Sequence, residues 1–283
     1  MNRSRPYVGI SGLVERKQQL AYEDVRRSHE VLRRRGLLMG VKAVHNTQWL
    51  DRPDKYSRNW YPVGHDEFRN ALMDSDVFYE GEMGVAQMYL DPESIQRKPD
   101  YPEQFVDRVM ARGERWLTHV QFDMLPFHDP ASREWGSVIS RIRRRGYGVI
   151  MQCHGPAMAQ SAEVALDQLR RLPSLDYVLF DASHGTGKRL DAQALLPFLD
   201  AAYNDTELEA RGTNFGLAGG LSAMVVEEEL PPIVQEFPDI SWDAEGRLHT
   251  PLDAQEHAGR LDNDAVRAYM DASARVLNGA VSQ

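Results

Sequence analysis

The sequence predicts an α/β protein folded as a (β/α)8 TIM barrel, on three observations. Short apolar runs alternate with longer amphipathic patterns from one end of the chain to the other. Eight such pairs can be laid out in order, and no linker rich in Pro, Gly or Ser divides them. The 283 residues are close to the ~250 this architecture usually takes. A doubly wound sheet also alternates strands and helices, but eight unbroken units favour the closed barrel, and 1–283 reads as one domain.

The first unit is a strand at 7–11 followed by a helix at 17–35, where Val25, Val31 and Leu32 fall on one face. The second strand, 37–44, leads into the longest irregular stretch, 45–62, and then a helix at 65–74. That stretch carries Trp49, Tyr56, Trp60 and Tyr61, which argues against disorder. As a βα loop it belongs on the catalytic face, either as a lid or packed on the rim. Units three to five pair strands at 85–90, 117–123 and 148–153 with helices at 102–113, 132–145 and 158–171. The sixth strand, 177–181, is an apolar run that stops at Asp181 and a turn holding Gly185, Thr186 and Gly187; a helix at 191–203 follows. The seventh, 215–218, runs into Gly219 and Gly220 before a helix at 222–236. The eighth, 240–242, precedes the last helix, 262–277.

A formal net charge of −9 argues against a nucleic-acid binder, which needs a basic face to neutralise phosphates. The arginine clusters, Arg33 to Arg35 and Arg141 to Arg145, sit near ends of predicted helices and read as solvated faces. Cys153 is the single cysteine, so no internal disulfide forms and a reducing cytosol fits. The N-terminus lacks the apolar core of a signal peptide, and no apolar stretch is long enough to cross a bilayer. The expectation is a soluble cytoplasmic protein without membrane or nucleic-acid partners, compatible with a homodimer.

In a barrel, the C-terminal ends of the strands converge on one site. Those positions hold Ser11, Lys42, His45, Asp123, Cys153, His154, Asp181, Asp243 and Glu245, a set rich in groups that can exchange protons. Each also has a plainer reading: Lys42 as an ion-pair partner, Cys153 as a small core residue, His154 as a turn residue before Gly155. His45, Asp123, His154 and Asp181 could together hold a metal, but no close-spaced ligand pair supports it, and neither metal nor cofactor is expected. The two glycine turns, at 185–187 and 219–220, are suited to presenting backbone N–H groups to an anion.

Several segments fall in the order of a known family. Val178-Leu179-Phe180-Asp181, followed by Gly185-Thr186-Gly187-Lys188 and Asp191, matches its sixth-strand signature. Leu217-Ala218-Gly219-Gly220-Leu221 matches the seventh, Val120-Gln121-Phe122 the fourth, and Ile10-Ser11-Gly12-Leu13 the first. Ser57-Arg58 with Trp60-Tyr61 follows a segment whose arginine contacts substrate. On these residues the chain resembles phosphoribosylanthranilate isomerase and the related ribulose-phosphate-binding barrels, most strongly over about residues 176–221. The resemblance implies that Asp181 is the general acid and that amides of Gly185, Gly187, Gly219 and Gly220, with Thr186 between, hold a phosphate. It implies Arg58 as a substrate contact.

The chain departs from the family where the chemistry is done. The family's base is a first-strand cysteine, and here Ser11 stands in its place; a hydroxyl does not ionise near neutral pH without help. Asp123, His154 or Cys153 are the alternative bases. At the eighth strand, Asp243 and Glu245 occupy the region where the family offers amides to phosphate. Pointing inward, they would repel a dianion unless a cation intervened. The expected function is an isomerase acting by acid–base chemistry on an anionic amino-sugar or sugar phosphate. The alternatives are an aldolase or lyase using Lys42, a metal-dependent hydrolase, or a barrel that binds without catalysis.

Overall fold

Eight strands pair in parallel, each with the next in sequence and the last with the first: β1 (Tyr7–Ser11), β2 (Gly36–Val44), β3 (Glu82–Tyr89), β4 (His119–Phe122), β5 (Gly148–His154), β6 (Tyr177–Asp181), β7 (Asn214–Ala218) and β8 (Ser241–Ala244). Val8 opposite Trp242 and Ile10 opposite Ala244 set the closing register. The computed structural model describes residues 5–14, 16–52, 61–72, 82–122, 132–155, 157–181, 188–250 and 261–281. The predicted (β/α)8 TIM barrel is the fold observed.

The helices outside the barrel are α1 (Arg16–Ser28), α2 (Glu30–Arg33), α3 (Gly64–Leu72), α4 (Pro92–Arg97), α5 (Tyr101–Gly113), α6 (Ser132–Arg144), α7 (Ala162–Arg170), α8 (Ala192–Tyr203), α9 (Thr206–Ala210), α10 (Ala223–Glu236) and α11 (Asn263–Val281). The single helix expected over 17–35 is broken at His29, whose extended backbone (φ −116°, ψ 115°) separates α1 from α2. The short α4 and α9 were not anticipated. Each begins at an aspartate cap: Asp91 accepts from the Ser94 N–H at 2.8 Å, and Asp205 accepts from Glu207 and Leu208.

Strand side chains alternate between two cores, as the pleat requires. Tyr7, Leu38, Met83, Val85, Ile150, Tyr177, Leu179 and Ala218 form the core inside the barrel. Ile10, Val41, Val120, Met151, Cys153, Phe180, Leu217 and Trp242 belong to the other, between barrel and helices. The lower end of the barrel is filled by Tyr7 and Tyr177, edge to face with ring centroids 4.9 Å apart, and by His119 at 6.0 Å from Tyr177.

Most of the clustered arginines are exposed, and several of them also pair across the outer layer. Arg35 is buried, lies over Trp242 at 5.1 Å from the ring centroid, and donates to the carbonyls of Pro238 and Ile240. Arg141 pairs with Asp107 and Arg143 with Asp176. The solvated-face reading holds for Arg33, Arg34 and Arg143 to Arg145, which are exposed, and is corrected for Arg35, which is buried. Among the described residues, no helix is long and apolar enough to cross a membrane.

Candidate active site

The C-terminal strand ends surround a cavity of about 290 Å³, bordered by side chains of β2, β3, β5, β6 and β8 and by the turn after β7. Its floor is polar because two strands give up their side chains there. A Cβ at Gly9 would lie 2.8 Å from Asp243 Oδ1, and one at Gly40 would lie 2.5 Å from Ser11 Oγ. Only glycine at both positions leaves room for the groups that meet between them.

Those groups are Ser11, Gln87 and Asp243, brought from β1, β3 and β8. Ser11 Oγ donates to the Asp243 carboxylate, 3.0 Å from Oδ1 and 3.1 Å from Oδ2. Gln87 Nε2 donates to Ser11 Oγ at 2.6 Å and reaches Asp243 Oδ2 at 3.3 Å. Burial pushes the Asp243 carboxyl up to about 7, and Glu245 adds to the rise. Hydrogen bonds from Ser11 and Gln121, and the charge of Lys42, work against it. Asp243 therefore exchanges its proton close to neutral pH, as a general base or acid must.

Asp181 closes the other flank. Gln152 Nε2 donates to its Oδ2 at 2.9 Å, and Gln121 Nε2 donates to Gln152 Oε1 at 3.1 Å. Gln121 also helps to hold the Asp243 pKa down, so the amides of Gln121 and Gln152 stand between the two carboxyls. Above the floor, Lys42 Nζ lies 2.8 Å from Glu245 Oε2. Gly219 and Gly220 border the cavity after β7, with φ of 91° and 64°. A Cβ at Gly220 would lie 1.7 Å from the Lys188 carbonyl oxygen, so this turn is pressed against the end of the preceding loop.

Of the residues singled out in the sequence, the structure brings Ser11, Lys42, Asp181, Gly219 and Gly220 to this region, with Asp243 and Glu245 pointing inward. His154 is buried at the end of β5, in register with Asp181, but does not border the cavity. Cys153 faces the opposite way, into the barrel–helix core, and burial pushes its thiol well up. That corrects its candidacy as a base, because a thiol so placed neither ionises nor meets a ligand. Asp123, Arg58, Gly185, Thr186 and Gly187 lie outside the described residues.

His45 is drawn away from the mouth: its Nδ1 is 2.8 Å from the Tyr101 hydroxyl, and burial lowers its pKa. The metal set containing it is not assembled, and no group of three such ligands stands together among the described residues. The described start of the 45–62 stretch is pinned to α5, where Arg108 and Arg112 each donate to Asp51 at 2.7 Å. Its described end delivers Tyr61 to the cavity.

Gln87, Gln121 and Gln152 were missed as site residues. Their signal was present: each is a polar residue inside an apolar strand, at the parity that faces the barrel axis.

No protein-family model matches the sequence, and no curated protein matches it. Among solved structures it is similar to tryptophan synthase subunit alpha from Legionella pneumophila str. Paris, at 14% identity and a TM-score of 0.51, over 97% of this chain and 93% of that one. It is also similar to the carboxyl transferase domain of Rhizobium etli pyruvate carboxylase with 3-bromopyruvate, at 10% identity and a TM-score of 0.51. That match covers 99% of this chain and 48% of the other. What is shared is the barrel. At such identities the likeness places the chain among TIM barrels and does not reach the isomerase family its motifs resemble.

Proposed function

We propose that this protein is an enzyme of phosphoribosylanthranilate isomerase type, isomerising an amino-sugar or sugar phosphate by acid–base chemistry in the barrel mouth. The observation that carries this reading is that Asp181 and Asp243 border one cavity, and Asp243 is held near neutral pKa. In the proposed reaction Asp181 gives a proton to the ring oxygen of the furanose, and the bond from that oxygen to C1 breaks. The open form is an imine where C1 carries nitrogen and an aldehyde where it carries oxygen. Asp243 takes the proton from C2, leaving an enolamine or enediol. This gains a proton at C1 and returns the C2 hydroxyl proton to Asp181 to become the ketose. Asp243 thus stands in for the family's missing thiolate, and Ser11 positions it.

The repulsion of a phosphate expected from two inward carboxylates is reduced in two ways. Lys42 pairs with Glu245 across 2.8 Å, and burial raises the Asp243 carboxyl to about 7, which favours its uncharged form. Gly219 and Gly220, with the turn at 185–187 and Arg58, would hold the anionic end. The Lys42–Glu245 pair also weighs against a Schiff-base lyase, which needs a neutral amine beside the carbonyl.

Carbon-13 NMR of purified protein with ribose 5-phosphate, glucosamine 6-phosphate and phosphoribosylanthranilate tests the proposal. At least one aldose is expected to convert to its ketose. Asp181→Asn and Asp243→Asn should each lower kcat about 100-fold or more with an unchanged circular dichroism spectrum. No conversion of any of the three, or variants as fast as the parent, overturns it.

A further inference from the structure

Gln87 has a use that the acid–base chemistry leaves open. It borders the cavity from β3, yet its side chain is almost wholly buried, 3% exposed. Its amide nitrogen is committed to Ser11 and Asp243. Its carbonyl Oε1, equally buried, has no hydrogen-bond partner among the described residues. Turned over, the amide would set its carbonyl against the Asp243 carboxylate whenever that group is ionised, and the orientation found avoids this. Gln121, 1% exposed, repeats the pattern below: its nitrogen donates to Gln152 while its carbonyl oxygen is unpartnered. This side of the floor is therefore rich in acceptors.

The glycine turn after β7 stands four strands away from β3, across the full width of an eight-strand ring. A molecule held there by an anionic group extends toward Gln87. We infer that Gln87 is a specificity-determining residue that reads a hydroxyl or amino donor at the end of the substrate remote from its anion. A buried carbonyl satisfied only by such a donor rejects an analogue carrying methylene there, since the acceptor is then left unpaired. The inference rests on the proposed anion site for its orientation and on Gln87 alone for its selectivity.

Isothermal titration of the parent and Gln87→Met with inorganic phosphate, D-ribose 5-phosphate and n-pentyl phosphate tests it. The parent is expected to prefer ribose 5-phosphate over pentyl phosphate by about 10-fold or more. In Gln87→Met the two esters should fall within about 2-fold of each other while inorganic phosphate binds as before. A parent without that preference, or a folded variant that keeps it, overturns the assignment. Should inorganic phosphate fail to bind while a Gln87-dependent preference is seen, the anion site falls and the donor-reading role stands. Should phosphate bind without the preference, only the role of Gln87 falls, and if nothing binds both fall. If the variant does not fold, a crystal structure of the parent with ribose 5-phosphate decides. A hydroxyl within about 3.2 Å of Gln87 Oε1 supports the inference, and its absence there overturns it.

Discussion

The β6–β7 side of the barrel mouth is built from backbone, and the β8–β1–β3 side is built from side chains. On the first, the left-handed Gly219 and Gly220 turn the chain back against Lys188 beside Asp181. On the second, Ser11, Gln87 and Asp243 interlock beneath the cavity, with Lys42 and Glu245 paired above them. A backbone-built surface offers fixed dipoles that do not titrate and suits holding a ligand. A buried side-chain network changes charge with pH and suits moving a proton. On the proposed reading the backbone side holds the anion and the side-chain side moves the C2 proton, with Asp181 adding one carboxyl to the backbone side.

Asp243→Asn probes this contrast with the largest expected effect. The folded protein raises this carboxyl from an ordinary 3.8 to about 7, so between those values it binds a proton that the unfolded chain has released. The contribution is fully present below about pH 4 and is lost as pH rises through about 7, a change on the order of 4 kcal/mol. Urea denaturation at pH 4.5 and 8 should show that loss in the parent and little of it in Asp243→Asn. Equal slopes in both would mean that the side-chain half carries no buried titrating group.

Gly220→Ala tests the backbone half and comes next in size. Its Cβ would enter the Lys188 carbonyl at a positive φ, costing about 3 kcal/mol in strain and displacement. Denaturation at a single pH measures the cost, and the pH dependence due to Asp243 should be untouched. A variant as stable as its parent would show that the two loops are not pressed together.

The smallest effect belongs to Lys42→Met. Lys42 holds the Asp243 pKa down, so its removal should move the midpoint of that carboxyl to higher pH, as read by carbon-13 NMR of labelled aspartate. A midpoint that moves the other way would break the assignment of Lys42 as the offsetting cation.

The same division explains what could be read in advance. All eight strands were visible, because each is a local apolar run, and Asp181 with Gly219-Gly220 was visible because strand end and turn adjoin in sequence. Ser11 and Asp243 are 232 residues apart and meet only through closure of β1 on β8. Asp243 was noticed at the eighth strand end, both among the groups able to exchange protons and as an obstacle to phosphate. Sequence alone does not reveal its burial or its bond to Ser11. Cys153 failed for a different reason: Ile150 and Gln152 face inward on β5, and counting by two assigns Cys153 to the outside. The break at His29 and the short α4 and α9 depend on caps and packing rather than on periodicity.

The side-chain space surrendered at Gly9 and Gly40 also decides how far from bulk water a proton is held. Asp243 sinks between these strands, 5% exposed, with Ser11 and Gln87 as its hydrogen-bonding neighbours. With a ligand seated above it, a hydrogen taken from one carbon has no solvent beside it with which to trade places. Its shortest way out is back onto the same molecule. In the proposed isomerisation a deuterium at C2 of the substrate would then survive in the product, a memory written by two absent methyl groups.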